Sequence, residues 1–152
     1  MSTTRLRDRI AVSCPIAEAQ SRLEAFFAKS RGVDGVTRVG LRVPLGGIAE
    51  GLALEHEAKV EARLARDDQN LNDLIRITWR PEDGGPYPTF EGTLVTWAEH
   101  DPAETFLELD GWYAPPLGAG GEAFDAVIGR QIARRTARAF LDDIRRAIAD
   151  AR

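Results

Sequence analysis

Apolar and polar residues alternate along six segments of this chain, at the two-residue period of a β-strand with one buried face. The clearest segment is Leu54–Leu64, in which every odd-numbered position carries a charged side chain. Such one-sided alternation is typical of an antiparallel sheet with one face in water. The other predicted strands are Arg7–Ser13, Val36–Leu45, Leu74–Arg80, Phe90–Trp97 and Thr105–Tyr113.

Two segments show the period of a helix instead. Pro15 suits a first helical turn. After it, one apolar stripe at helical spacing consists of Ile16, Leu23, Phe26 and Phe27 and ends before Gly32. Glu122–Ala151 has no proline and predicts a helix of roughly 28 residues, about 42 Å long. Its apolar ridge is Phe124, Ile128, Ile132, Thr136, Phe140, Ile144 and Ile148. A second, solvated stripe with i,i+4 ion pairs is expected at Arg130, Arg134, Arg138 and Asp142.

This order of elements predicts an α+β fold, in which a curved antiparallel sheet wraps around the long C-terminal helix. That helix is the only predicted element long enough to cover the apolar face of the sheet. The small residues Ala58, Ala62, Gly92 and Gly111 fall on the predicted inner face and indicate an internal cavity. The alternative, in which larger side chains fill that space, stays open.

The composition allows one domain over residues 1–152 and excludes some partners. A net charge of -4 argues against a nucleic-acid binder, which needs a basic surface. The single Cys14 permits no internal disulfide and fits a reducing cytoplasm. The first residues are too polar for a signal peptide, and no apolar run approaches the ~20 residues of a membrane span. We therefore expect a cytoplasmic protein without stable membrane insertion, whose oligomeric state the sequence does not reveal.

The pattern FEGTL at Phe90–Leu94, followed by LDGWYAPPLG at Leu109–Gly118, a glycine loop and an amphipathic helix, resembles the START-related superfamily. This group (SRPBCC) includes lipid-transfer domains, birch-pollen-allergen-like proteins and polyketide cyclase/dehydrase-like proteins. The resemblance implies the helix-grip fold and an apolar cavity that opens near the loops and the last helix. It implies no single activity. The connection Lys29–Gly35 is short where many relatives have a second helix.

Catalytic and metal-binding signatures are missing from the sequence. His56-Glu57 begins like a zinc-protease motif, but position 60 is Val60 and the segment is a predicted strand. An all-carboxylate metal site stays open, although nothing points to one. The glycine loop Gly118–Gly121 lacks the residues of a phosphate or dinucleotide loop, so no cofactor is expected. Cys14, at a helix start, is interpreted as a small buried or capping residue rather than a nucleophile.

His56 is the one titratable candidate on the inner face, where an imidazole could move protons. It could equally lie at the strand end and bond to backbone, so no catalytic residue is assigned. Thr96, Tyr113 and Thr136 are candidate polar partners for a ligand. The residues expected to line the cavity are His56, Val60, Ile77, Trp79, Phe90, Leu94, Leu109, Tyr113, Phe124, Ile128, Ile132, Thr136 and Phe140.

The function that follows is binding or carriage of a hydrophobic small molecule, such as a lipid, a polyketide or an isoprenoid-like compound. The first alternative is a polyketide cyclase or aromatase, in which the same cavity folds a poly-ketone and His56 or Tyr113 moves protons. The second is an interaction module with a filled core.

Overall fold

A computed structural model describes residues 3–46, 57–66, 74–82, 88–114 and 126–150 of the chain. The elements follow the predicted order. They are β1 (Thr4–Val12), α1 (Ile16–Ala28), β2 (Thr37–Pro44), β3 (Glu57–Arg66), β4 (Ile75–Pro81), β5 (Thr89–Trp97), β6 (Thr105–Ala114) and α2 (Ala126–Asp150).

Two strand boundaries differ from the prediction by more than one residue, because cross-strand pairing extends the strands. β1 begins at Thr4, three residues before the predicted Arg7, since it pairs with β6 from Thr4 opposite Tyr113 onwards. β3 continues to Arg66, which was predicted to start a turn, since Arg66 pairs with Ile75 of β4. The predicted strand start at 54–56, most of the turn at 66–72, much of the loop at 81–88, and residues 115–125 lie outside the described residues.

The six strands form one antiparallel sheet in the order β1-β6-β5-β4-β3-β2. The sheet curls into a half-barrel around α2, which is the helix-grip arrangement that the sequence predicted. The alternation along β3 shows why one face turns inward: Val60, Ala62 and Leu64 are buried, whereas Lys59 and Arg63 are exposed. We call the inward face of the sheet the concave face.

Helix α2 presents its predicted apolar ridge to the core. Ile132, Thr136 and Phe140 are fully buried. Arg130 and Arg134 are exposed, as expected for the other stripe. The ion pair that Arg138 forms is not the expected i,i+4 pair within the helix. Arg138 pairs with Asp8 of β1, with 2.7 Å between Nη2 and Oδ1. The pairs within the helix are i,i+3, because Asp142 and Asp143 precede their partners Arg145 and Arg146 by three residues.

The helix rests mainly on strands toward the two edges of the curled sheet. It lies close to β1, β6 and β2 and comes within 8 Å of β3, β4 and β5 at few points. Besides the Arg138–Asp8 pair, Arg135 donates hydrogen bonds to the carbonyl oxygens of Pro44 and Gly46, at 3.3 and 2.7 Å. The helix therefore crosses over the central strands at a larger distance. Side chains, and not closely packed backbone, lie between the helix and these strands.

The glycines of the concave face do not leave the empty space that the sequence suggested. Gly92 and Gly111 face each other on β5 and β6. A Cβ atom added at Gly92 would lie 2.5 Å from Cζ of Phe90, and one at Gly111 would lie 2.7 Å from the same atom. The two missing side chains thus make room for the Phe90 ring, which fills the space itself.

Candidate ligand-binding site

Three aromatic side chains stand side by side on the concave face, toward one end of β4, β5 and β6. Trp79 on β4 pairs with Phe90 on β5, which pairs with Tyr113 on β6. All three are buried, with 1%, 3% and 5% of their surfaces exposed. Each strand places its aromatic at an inward position of the two-residue alternation, so register brings together residues 34 positions apart in the chain. We call Trp79, Phe90 and Tyr113 the aromatic row.

The polar edge of Trp79 is unusual for a buried indole. Its ring is stacked on Phe90, with centroids 4.0 Å apart and an interplanar angle of 16°. Its Nε1 is buried and has no hydrogen-bond partner among the described residues. Because an indole N–H lies in the ring plane, it cannot point at the face of a parallel neighbour. Leaving such a donor unsatisfied costs about 1–3 kcal/mol, so it calls for an explanation.

Helix α2 approaches the other end of the row through a glycine. Gly129 is buried, yet a Cβ atom added there would meet only Cε2 of Tyr113 within 4 Å among the described residues, at 4.0 Å. A helical glycine costs about 1 kcal/mol relative to alanine, and here the structure leaves room for the larger residue. The aromatic row thus meets α2 at a glycine, where the structure has room for a methyl group next to Tyr113.

The structure places the remaining predicted site residues on the same two surfaces. Val60, Ile77, Leu94 and Leu109 are buried on the concave face, and Ile132, Thr136 and Phe140 are buried beneath α2. Ile128 is half-buried and packs against this core. His56 and Phe124 lie outside the described residues.

The three predicted polar partners do not converge. Thr136 donates from Oγ1 to the carbonyl oxygen of Ile132, 2.9 Å away within the helix. Thr96 accepts a hydrogen bond from Gln20 of α1 at 3.2 Å, at the end of β5 away from Phe90. Of the three, only Tyr113 belongs to the aromatic row. The sequence reasoning missed Gly129 and the indole N–H of Trp79, because neither the room for a methyl group at Gly129 nor the missing hydrogen-bond partner of Trp79 has a sequence signal.

Two clefts open elsewhere on the described part of the chain. One, of about 420 Å³, lies where the α1–β2 connection forms a turn instead of a second helix, with Phe27, Leu64 and Ile75 among its lining residues. Its charges compensate one another: Glu24 pairs with both Arg31 and Arg66. At the same cleft, the pKa of Asp34 is lowered to about 2 by hydrogen bonds from the Arg38 guanidinium and the Val36 backbone N–H.

The second cleft, of about 280 Å³, is lined in part by Cys14, Arg22 and Arg145. Cys14 is 5% exposed, and burial raises the pKa of its thiol. This agrees with the interpretation of Cys14 as a buried apolar residue. Arg22 donates a hydrogen bond to the carbonyl oxygen of Ile148 at 2.8 Å and pairs with Glu18, so the charge of Arg22 is compensated within the protein.

The described residues hold no group of three or more histidine, cysteine or acidic side chains arranged for a metal ion. Neither helix, over its described length, combines the length and the apolar character needed to cross a membrane. The candidate site in the described part of the chain consists mainly of apolar and aromatic side chains.

Comparison with solved structures identifies the fold. The chain is similar to the Zhui aromatase/cyclase from Streptomyces sp. R1128, with a TM-score of 0.63 and 14% identity over 97% of this chain and 94% of that one. A conserved protein from Geobacillus kaustophilus gives 0.61 and 15% identity, covering 97% of both chains. Norcoclaurine synthase from Thalictrum flavum, in complex with dopamine and hydroxybenzaldehyde, gives 0.52 and 10% identity, over 99% of this chain and 89% of that one.

No family model and no curated protein matches the sequence. At these identities the structural similarity shows the fold alone. The chain has the START-like helix-grip fold of the SRPBCC proteins, which confirms the resemblance seen in the sequence.

Proposed function

We propose that the protein binds or carries a hydrophobic small molecule between α2 and the concave face of the sheet, in the cytoplasm. The observation that carries this proposal is the buried aromatic row, which meets α2 at Gly129, where a Cβ atom would fit next to Tyr113. A site of this kind is lined mainly by apolar and aromatic side chains, with few polar groups that orient the ligand. Trp79 and Tyr113 each supply an apolar ring and one polar group.

Burial of apolar surface would provide most of the affinity. Each Å² of apolar ligand surface removed from water contributes about 25 cal/mol before the costs of association. The solved relatives are consistent with an aromatic ligand: the norcoclaurine synthase complex contains two small aromatic molecules in a protein of the same fold.

The experiment is a fluorescence titration with N-phenyl-1-naphthylamine, an uncharged apolar probe. Wild-type protein should take up one probe per chain. Gly129→Phe should abolish uptake, because the new ring would occupy the space next to Tyr113. Gly129→Ala is the matched control, since it adds one methyl group where the nearest described atom would be 4.0 Å away, and it should still bind.

Circular dichroism must show that both variants remain folded. Failure of the wild-type protein to take up the probe would favour the interaction module with a filled core. Uptake that is equal in wild type and folded Gly129→Phe would place the probe elsewhere, for example in the cleft at Phe27 and Leu64.

A cyclase that uses the same space is the alternative, and the position of Tyr113 in the aromatic row favours it as a proton donor. His56→Ala and Tyr113→Phe separate the two functions. In a carrier, His56→Ala should change ligand affinity little. In a cyclase, loss of a general base should lower the rate of product formation by ~10²–10⁴ while substrate still binds.

A further inference from the structure

Trp79 has a buried hydrogen-bond donor, which the binding of a purely apolar ligand does not require. Its Nε1 is buried, 1% of the residue is exposed, and no described residue accepts its hydrogen. Ala62 and Phe90 flank it across the sheet, and neither side chain has an acceptor atom. Trp79 lies on β4, one of the strands that α2 approaches least.

We propose that the N–H of Trp79 donates a hydrogen bond to an oxygen atom of the bound ligand. The inference rests on the proposed function and narrows it, because the ligand must then carry a hydrogen-bond acceptor on a flat, apolar body. Aryl ketones, phenols and aromatic polyketides have this combination. A saturated hydrocarbon chain does not.

The stacking geometry supports a planar ligand. The Trp79 and Phe90 rings are parallel within 16° and 4.0 Å apart. A flat ring that lies edge-on to the indole can meet the N–H in the plane of the indole, while its faces contact apolar side chains of the concave face. A ligand of this kind would satisfy the donor that the described residues leave unpaired.

The test compares two probes of equal shape. 2-Acetylnaphthalene carries a carbonyl oxygen, and 2-isopropenylnaphthalene has a CH₂ group in its place. Wild-type protein should bind the ketone about tenfold more tightly, as expected for one buried hydrogen bond. Trp79→Phe should bind both probes equally. Trp112→Phe is the matched control and should keep the preference, because it makes the same change of ring at an exposed position outside the aromatic row.

A second measurement does not depend on how Trp79→Phe folds. The chain has three tryptophans, so its ¹⁵N-correlated spectrum contains three indole N–H signals. Trp97→Phe and Trp112→Phe assign them. The Trp79 signal should move downfield when the ketone is added and stay nearly unchanged with the hydrocarbon, while the signal of Trp112, which is 54% exposed on the outer face, stays in place with both.

The outcomes separate the two proposals. If neither probe binds, the proposed function itself fails. If both bind with equal affinity and the Trp79 signal does not move, ligand binding stands and the hydrogen bond is refuted. The inference is also overturned if the preference for the ketone survives in Trp79→Phe or disappears in Trp112→Phe.

Discussion

A Cβ atom on Gly92 would lie 2.5 Å from Cζ of Phe90, so the phenyl ring occupies the space that any larger residue would need. The carbonyl oxygen of Asp110 is equally close, at 2.5 Å. The ring that stacks on Trp79 thus depends on a glycine two residues further along its own strand. The Phe90 ring can therefore take its place in the aromatic row only because residue 92 is a glycine.

Gly92→Ala should therefore destabilise the protein by about 1–3 kcal/mol, since the methyl group must displace both a ring and a backbone oxygen. Gly40→Ala is the matched control on edge strand β2, where the new methyl group would meet only Oε1 of Glu82 at 3.7 Å. It should change the free energy of unfolding by no more than about 0.5 kcal/mol. Urea denaturation measures both. Equal midpoints for the two variants would contradict the placement of Phe90.

The orientation of β3 can be tested by two neighbouring substitutions. Val60 is fully buried, so Val60→Asp would bury an unpaired carboxylate and should cost about 3 kcal/mol or more. Glu61 points outward, where its carboxylate pairs with Arg63 at 2.7 Å at the surface. Glu61→Gln should therefore change stability by no more than about 0.5 kcal/mol. Comparable losses of melting temperature in the two variants would mean that the strand register is wrong.

The ion pair between Arg5 and Asp110 predicts a pH-dependent contribution to stability. Two hydrogen bonds of 3.0 and 2.8 Å join the guanidinium to the carboxylate. They lower the pKa of Asp110, with a further contribution from Arg7. A carboxyl group whose pKa is lower in the folded state stabilises the protein above its unfolded pKa of about 3.9, and this contribution is lost as the pH falls through the folded pKa.

Asp110→Asn should consequently lower the melting temperature at pH 7, by the equivalent of less than about 1 kcal/mol because the pair is largely at the surface. The difference from wild type should shrink as the pH falls below about 4. A double-mutant cycle with Arg5→Gln isolates the coupling, which should vanish in acid. A coupling that is independent of pH would show that the hydrogen bonds to Asp110 do not depend on its charge.

Cys14 should resist thiol reagents as long as the protein is folded. It is buried, and burial raises the pKa of the thiol, so little reactive thiolate is available at pH 8. Ellman's reagent should label it slowly in buffer and rapidly in guanidinium chloride. The chain has a single cysteine, so the signal needs no deconvolution. Rapid labelling of the folded protein would reopen the interpretation of Cys14 as a reactive residue.

The elements of this fold were determined locally. Odd and even positions of β3 differ in charge so regularly that the buried face could be named from the sequence, and Val60 and Ala62 lie where the alternation puts them. The ridge of α2 was equally readable, because Ile132, Thr136 and Phe140 recur every fourth residue. Strand ends were less readable, since Thr4 and Arg66 become strand residues only through their partners across the sheet.

The site depended on tertiary structure. A sequence shows that Trp79, Phe90 and Tyr113 point inward, but register decides that they are neighbours. It shows glycines at Gly92 and Gly129, but not that one makes room for a ring whereas the other leaves room for a methyl group next to Tyr113. The local period fixes which face a side chain occupies, whereas the distance between two faces is set by how far the sheet curls around the helix. Whether an indole N–H finds a partner depends on that distance.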